Sequence, residues 1–233
     1  MFFAVHNEDF VDLLGVIVNR RLFSLFAVAA FCSAMCLPAL ADNINISNTG
    51  SSGGSALPVG TTDPHYSLFS APSGVPLTAI TTAANAAWTP NTSTADWISP
   101  GNSGNTSWPV GNYDFRTTFD LTGENPATAQ LSGMWTADND ACIWLNGVNT
   151  NQCVGFTAYG SLAAFSITSG FTTGINTLDL IVDNGGGPTG VIAEISGTVS
   201  PGTSPVPEPS SLLLLGSGLT GIGTFYRRLR RSR

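Results

Sequence analysis

From residue 42 onward, apolar and polar positions alternate in short runs and do not recur at helical spacing. Over 113–121, Tyr113, Phe115, Thr117, Phe119 and Leu121 fall on one face, and Asp114, Arg116, Thr118 and Asp120 fall on the other. Successive strand side chains point to opposite faces, so this pattern is a half-buried β-strand. Further strands are predicted over 127–135, 141–145, 165–167, 176–182 and 190–199, separated by Gly, Asn, Pro and Ser. Asn146-Gly147 follows the 141–145 run, and Asn-Gly is a strong hairpin signal. Residues 43–64 read as a loose, Gly/Ser-rich opening strand and loop. The pattern predicts an all-β fold: an antiparallel β-sandwich of about eight strands, jelly-roll-like.

Outside this body the pattern changes. Arg20-Arg21 precede an apolar run from Leu22 to Leu37, which closes on Ala39-Leu40-Ala41. A positive start, an apolar core and an A-x-A end describe a secretory signal peptide, with cleavage expected after Ala41. An uncleaved N-terminal anchor is the alternative. Residues 1–17 carry Glu8, Asp9 and Asp12, unusual before such a core, and suggest that translation starts at Val18. At the other end, Ser-Pro-Gly-Thr-Ser-Pro over 200–205 reads as a linker. Val206-Pro207-Glu208-Pro209 follows, then an apolar stretch from Leu212 to Tyr226, then Arg227, Arg228, Arg230, Arg231 and Arg233. With Ser210 and Ser211 the stretch just reaches bilayer-spanning length as a transmembrane helix. The arginines after it should stay cytoplasmic. The expected organisation is a signal region over 1–41, a sandwich over 42–199, a linker over 200–205 and a tail over 206–233.

Charge sharpens this reading. Charged residues make up 10% of the 233-residue chain, against roughly 25% in a typical domain. Lysine is absent, and Arg116 is the only basic residue between Arg21 and Arg227. Nine Asp and two Glu between Asp42 and Val206 leave that stretch at −10. Nucleic-acid binding needs a basic footprint and is excluded as a function class. An acidic body permits Ca²⁺ binding without requiring it.

After loss of the signal region, with its Cys32 and Cys36, the remaining cysteines are Cys142 and Cys153. They flank the Asn146-Gly147 turn and should form a disulfide across the hairpin in an oxidising compartment.

Pro207-Glu208-Pro209, the short apolar helix and the Arg-rich end together resemble the PEP-CTERM sorting signal. The resemblance implies recognition by an exosortase, a membrane protease-transferase that cuts near Pro-Glu-Pro. It also implies a Gram-negative host that makes exopolysaccharide. A plain anchor that is never processed is the alternative. Pro207 and Pro209 hold the chain extended, a conformation suited to a protease cleft.

Catalytic chemistry has few candidates. His65 is the only histidine of the body, in Asp63-Pro64-His65-Tyr66, and no nucleophile motif accompanies it. Glu124 and Glu194 are the only Glu of the body, and a glycosidase would need two carboxyls across one bond. Asp138-Asn139-Asp140 could offer Asp138 and Asp140 to a metal ion such as Ca²⁺, or simply form a turn. Asp183 to Pro188 reads as a surface loop. Trp88, Trp97 and Trp108 lie in Pro/Asn/Ser-rich context, where exposed rings could stack on sugars. Trp135 and Trp144 read as core residues.

Ser132 to Asp140 running into Ile143-Trp144-Leu145-Asn146-Gly147-Val148 is similar to galactose-binding-like or carbohydrate-binding-module sandwiches. Gly174 to Leu180, the stretch from Asn184 to Gly190, and the opening Asp63-Pro64-His65-Tyr66 are similar to the same class. These motifs are structural, and the resemblance carries over no binding residue. The sequence thus predicts a non-catalytic, exosortase-sorted protein of the cell surface or extracellular matrix, linked to exopolysaccharide and biofilm. A lectin-like glycan-binding module and a polysaccharide-acting hydrolase are the alternatives.

Overall fold

A computed structural model describes residues 41–202 and four helical positions of the tail: Gly216, Leu219, Arg227 and Arg228. The signal region, the start at Val18, Pro207-Glu208-Pro209, Arg230 and Arg231 lie outside the described residues.

Thirteen strands occur among the described residues. Six are short: β1 (Asp42–Asn43), β2 (Ser51–Ser52), β3 (Ser55–Ala56), β4 (Ser67–Ser70), β5 (Ile80–Thr81) and β6 (Ile98–Ser99). The rest are β7 (Gly111–Asp120), β8 (Glu124–Asp138), β9 (Asp140–Leu145), β10 (Val148–Val154), β11 (Ala163–Ile167), β12 (Ile175–Asn184) and β13 (Gly190–Pro201). One sheet runs β11-β8-β13-β6-β5, with β1 also on β13; the other runs β10-β9-β12-β7-β4. Strands β2 and β3 pair apart from both. The ladders between named strands are antiparallel, as a sandwich requires.

Alternation decides what each strand buries. Tyr113, Phe115, Thr117 and Phe119 of β7 face Leu131, Trp135 and Ala137 of β8 and Val191, Ala193 and Ile195 of β13 within one buried core. Leu178, Leu180 and Val182 of β12 and Ile143 and Leu145 of β9 fill the same layer. The β9–β10 hairpin closes at Asn146 (φ 52°) and Gly147 (φ 77°). Two successive positive φ values are what a two-residue hairpin turn demands, hence Asn-Gly.

Two expectations change here. Ser200 and Pro201, read as linker, pair with Asn125 and Glu124 at the end of β13. A proline is tolerated there because a strand end need not donate to the ladder. The 183–188 loop is only partly a surface loop. Asn184 is fully buried and its Nδ2 donates to the carbonyls of Trp108 (3.1 Å) and Pro109 (3.0 Å).

The six-stranded sheet carries a second, smaller core on its outer face. Ile192, between the inward Val191 and Ala193, points outward and is covered by Trp88, Ala95 and Trp97, with Tyr159 and Leu162 at the margin. The segment around residues 82–97 therefore folds back over the sheet. Thr136, the cross-strand partner of Ile192, donates to the Ala158 carbonyl at 2.8 Å, and the next carbonyl, of Tyr159, accepts from the Thr89 N–H at 2.7 Å, which ties the folded-back segment down.

Candidate functional site

The three tryptophans read as an exposed sugar platform do not form one. Trp88 and Trp97 are buried and stacked on each other, with ring centroids 4.2 Å apart. Trp97 Nε1 donates to the Thr89 carbonyl (2.8 Å) and Trp88 Nε1 to Asp138 (2.7 Å). Their polar sequence context belongs to the loop that carries them, whereas the rings are drawn onto Ile192. Trp108 is half-buried against the main core, its backbone N–H donating to Gly187.

Asp138 and Asp140 are not brought together as metal ligands. Asp138 is buried beneath Trp88 on the outer face of the six-stranded sheet, and Asn139 Nδ2 donates to its second oxygen. Burial raises its pKa, partly offset by those two donors. Asp140 begins β9 in the other sheet and is exposed. Among the described residues, no group of three or more His, Cys, Asp or Glu could hold a metal ion.

The enzymatic candidates also separate. Glu194 pairs across the ladder with Met134, whereas Glu124 pairs with Pro201. Seven residues of strand put the two carboxylates roughly 20 Å apart, beyond the roughly 5–9.5 Å of glycosidase pairs. Glu194 instead accepts from Thr92 and Thr94 Oγ1, each at 2.7 Å. Asp63 accepts from the backbone N–H groups of Gly50 (2.6 Å), His65 (2.7 Å) and Tyr66 (3.0 Å), the work of a turn-forming carboxylate.

Exposed chemistry gathers elsewhere, on the outer face of the five-stranded sheet. Ile143 and Leu145 point into the core, so Trp144 between them points out. This corrects its reading as a core residue; the same alternation that marks Tyr113–Leu121 would have placed it outside. Register sets its neighbours. One row across the sheet is Asn149, Trp144, Asp179 and Arg116. The next is Cys153, Cys142, Ile181 and Asp114, and a third is Asp140, Asp183 and Asn112.

Cys142 and Cys153 are joined by a disulfide, with Cα atoms 4.1 Å apart. Together with Ile181 it floors a shallow groove walled by Trp144 and open to Asp140, Asp183 and Asn149. Four residues of β9 separate Trp144 from Asp140, about 13 Å, longer than one sugar ring.

Beside the groove, Asp179 takes both a guanidinium Nε and an Nη2 donor from Arg116, and Asp114 lies 3.6 Å from Nη2. The ring of Phe69 sits 3.6 Å over the guanidinium carbon and is itself 55% exposed. Asp114 Oδ1 is buried without a hydrogen-bond partner among the described residues. Burial, with Asp179 adding to it against the pull of Arg116, pushes the Asp114 carboxyl up to about 6.

Residues 205–231 match the family described as the PEP-CTERM protein-sorting motif. The tail therefore carries that motif, which implies export and exosortase sorting to the cell surface. Among the described residues no helix is long and apolar enough to cross a membrane. No curated protein sequence matches the chain. Among solved structures, the chain is similar to a family 35 carbohydrate-binding module from an environmental isolate. That match has 12% identity and a TM-score of 0.34, covering 60% of this chain and 98% of the other. It is also similar to the family 35 module from Paenibacillus barcinonensis, at 14% identity and a TM-score of 0.32, covering 50% and 87%.

Proposed function

We propose that the protein is a non-catalytic, exosortase-sorted component of the cell surface or extracellular matrix, retained in exopolysaccharide by a lectin-like face of its sandwich. The observation that carries the sorting half is the motif at 205–231, beginning four residues after the last strand ends at Pro201. A non-catalytic role is supported by the distance between Glu124 and Glu194 and by the engagement of Asp63 with backbone. The saccharide-binding half is supported by the Trp144 groove, which offers an apolar ring face beside hydrogen-bond acceptors.

The test is the mass and location of the mature protein in its host. A species starting at Asp42 and ending near Pro207, found at the surface, supports sorting. A species retaining residues 210–233 in the inner membrane overturns it. Glu208→Ala should block processing; normal release of that variant would also overturn it. Turnover of a purified polysaccharide that is lost in Glu124→Gln or Glu194→Gln would return the hydrolase.

A further inference from the structure

Resting on the saccharide-binding reading, we infer that the Trp144 groove selects an amine-bearing glycan, in which one sugar sets its ring on Trp144 and an amino sugar further along the same glycan sets its ammonium against Asp140 and Asp183.

Asp140 and Asp183 are direct cross-strand partners, both exposed. Like charges directly opposite each other on a sheet are destabilising. The sheet cannot relieve this itself. Arg116 is the only cation of the body, and it is held by Asp179, flanked by Asp114 and capped by Phe69. Within the described sheet no free cation remains to offset the pair, so a cationic ligand would relieve it. A bare cation would use the two carboxylates and leave Trp144, Ile181 and the disulfide without a role. A glycan carrying amino sugars uses all of them: the C–H face of one ring covers the indole, and the hydroxyls and ammonium of a residue further along donate to the carboxylates. Trp144 Nε1 donates to no protein atom among the described residues and remains available to a ring or glycosidic oxygen. Uronate, sulfate or phosphate sugars would face carboxylates with no free cation, and are rejected.

The test is co-sedimentation of the full-length exported protein with three polymers: partially deacetylated β-1,4-linked N-acetylglucosamine polymer, its fully acetylated form, and polygalacturonate. Binding to the deacetylated polymer is expected, weakened by salt because the partners are exposed charges. Asp140→Asn with Asp183→Asn preserves side-chain shape and should weaken binding roughly three- to tenfold. Trp144→Ala should abolish it. Because the whole body is acidic, the control removes the same charge elsewhere, with Asp42→Asn and Asp120→Asn, and should leave binding unchanged. Equal loss in the control pair means diffuse attraction to a polycation and overturns the groove. Preference for the acetylated or the acidic polymer overturns the amine inference but leaves the saccharide reading standing. Binding to none of the three, on these or a broader glycan panel, removes the saccharide reading and the inference with it.

Discussion

Asp179 and Arg116 face each other across the β7–β12 ladder, and the carboxylate takes two donors from one guanidinium. The partners are unequally placed: the Asp179 side chain is 3% exposed and that of Arg116 is 26% exposed. Removing one partner of such a pair costs according to what remains buried. Arg116→Ala strands two acidic side chains, Asp179 and Asp114, and should cost about 3–5 kcal/mol. Asp179→Asn keeps an acceptor and leaves Asp114 and solvent to the half-open guanidinium, so it should cost less. Urea unfolding of both variants checks this; equal losses would show that the exposure difference has no energetic consequence.

Stability should fall as pH rises from about 4 to 7. Burial pushes the Asp96 carboxyl up to about 6, and burial together with Asp179 does the same for Asp114. An unfolded Asp titrates near 3.9. A raised folded pKa means that the folded state holds the proton more tightly. The stabilisation is therefore complete below about 4 and is lost as pH rises through about 6. Thermal midpoints at about pH 4.5 should exceed those at about pH 7.5, and Asp114→Asn should flatten the dependence. A midpoint that climbs between those two values refutes the assignment.

The Cys142–Cys153 bridge closes a separation of 11 residues around the Asn146-Gly147 turn. In chain-entropy terms a loop of this size is worth about 3 kcal/mol. The double variant Cys142→Ser, Cys153→Ser should lower the urea midpoint and raise the slope, because the denatured chain without the cross-link is less compact. Because the bridge also floors the Trp144 groove, glycan binding should weaken in the same variant even where it remains fully folded.

Much of this architecture was legible in the residues. Tyr113, Phe115, Thr117 and Phe119 announced β7 by parity alone, and Asn146-Gly147 announced its hairpin. Both signals are local, arising from backbone geometry and from which face meets the core. Trp88 and Trp97 were illegible for the opposite reason. They bury against Ile192, about a hundred residues away, and nothing in their Pro/Asn/Ser surroundings indicates that the segment folds back over a sheet. Trp144 was available to the parity rule, because it sits between Ile143 and Leu145. The groove around it needed the register, since Asp140 and Asp183 are 43 positions apart and meet only through β9–β12 pairing.

Trp88 links the small outer core to the sheet in two ways, and substitutions separate them. Its ring stacks on Trp97, and its Nε1 donates to buried Asp138. Trp88→Phe retains most of the stack but withdraws the donor. A buried carboxylate losing a partner costs about 1–3 kcal/mol, and the raised Asp138 pKa should rise further, because that donor holds it down. Trp88→Ala removes the ring as well and should cost about 3–5 kcal/mol. The difference between the variants isolates packing from the hydrogen bond. Neither should alter glycan binding, because Trp88 lies on the six-stranded sheet and the Trp144 groove on the other. Loss of binding in folded Trp88→Phe would instead place the ligand near Asp138 and move the site to the six-stranded sheet.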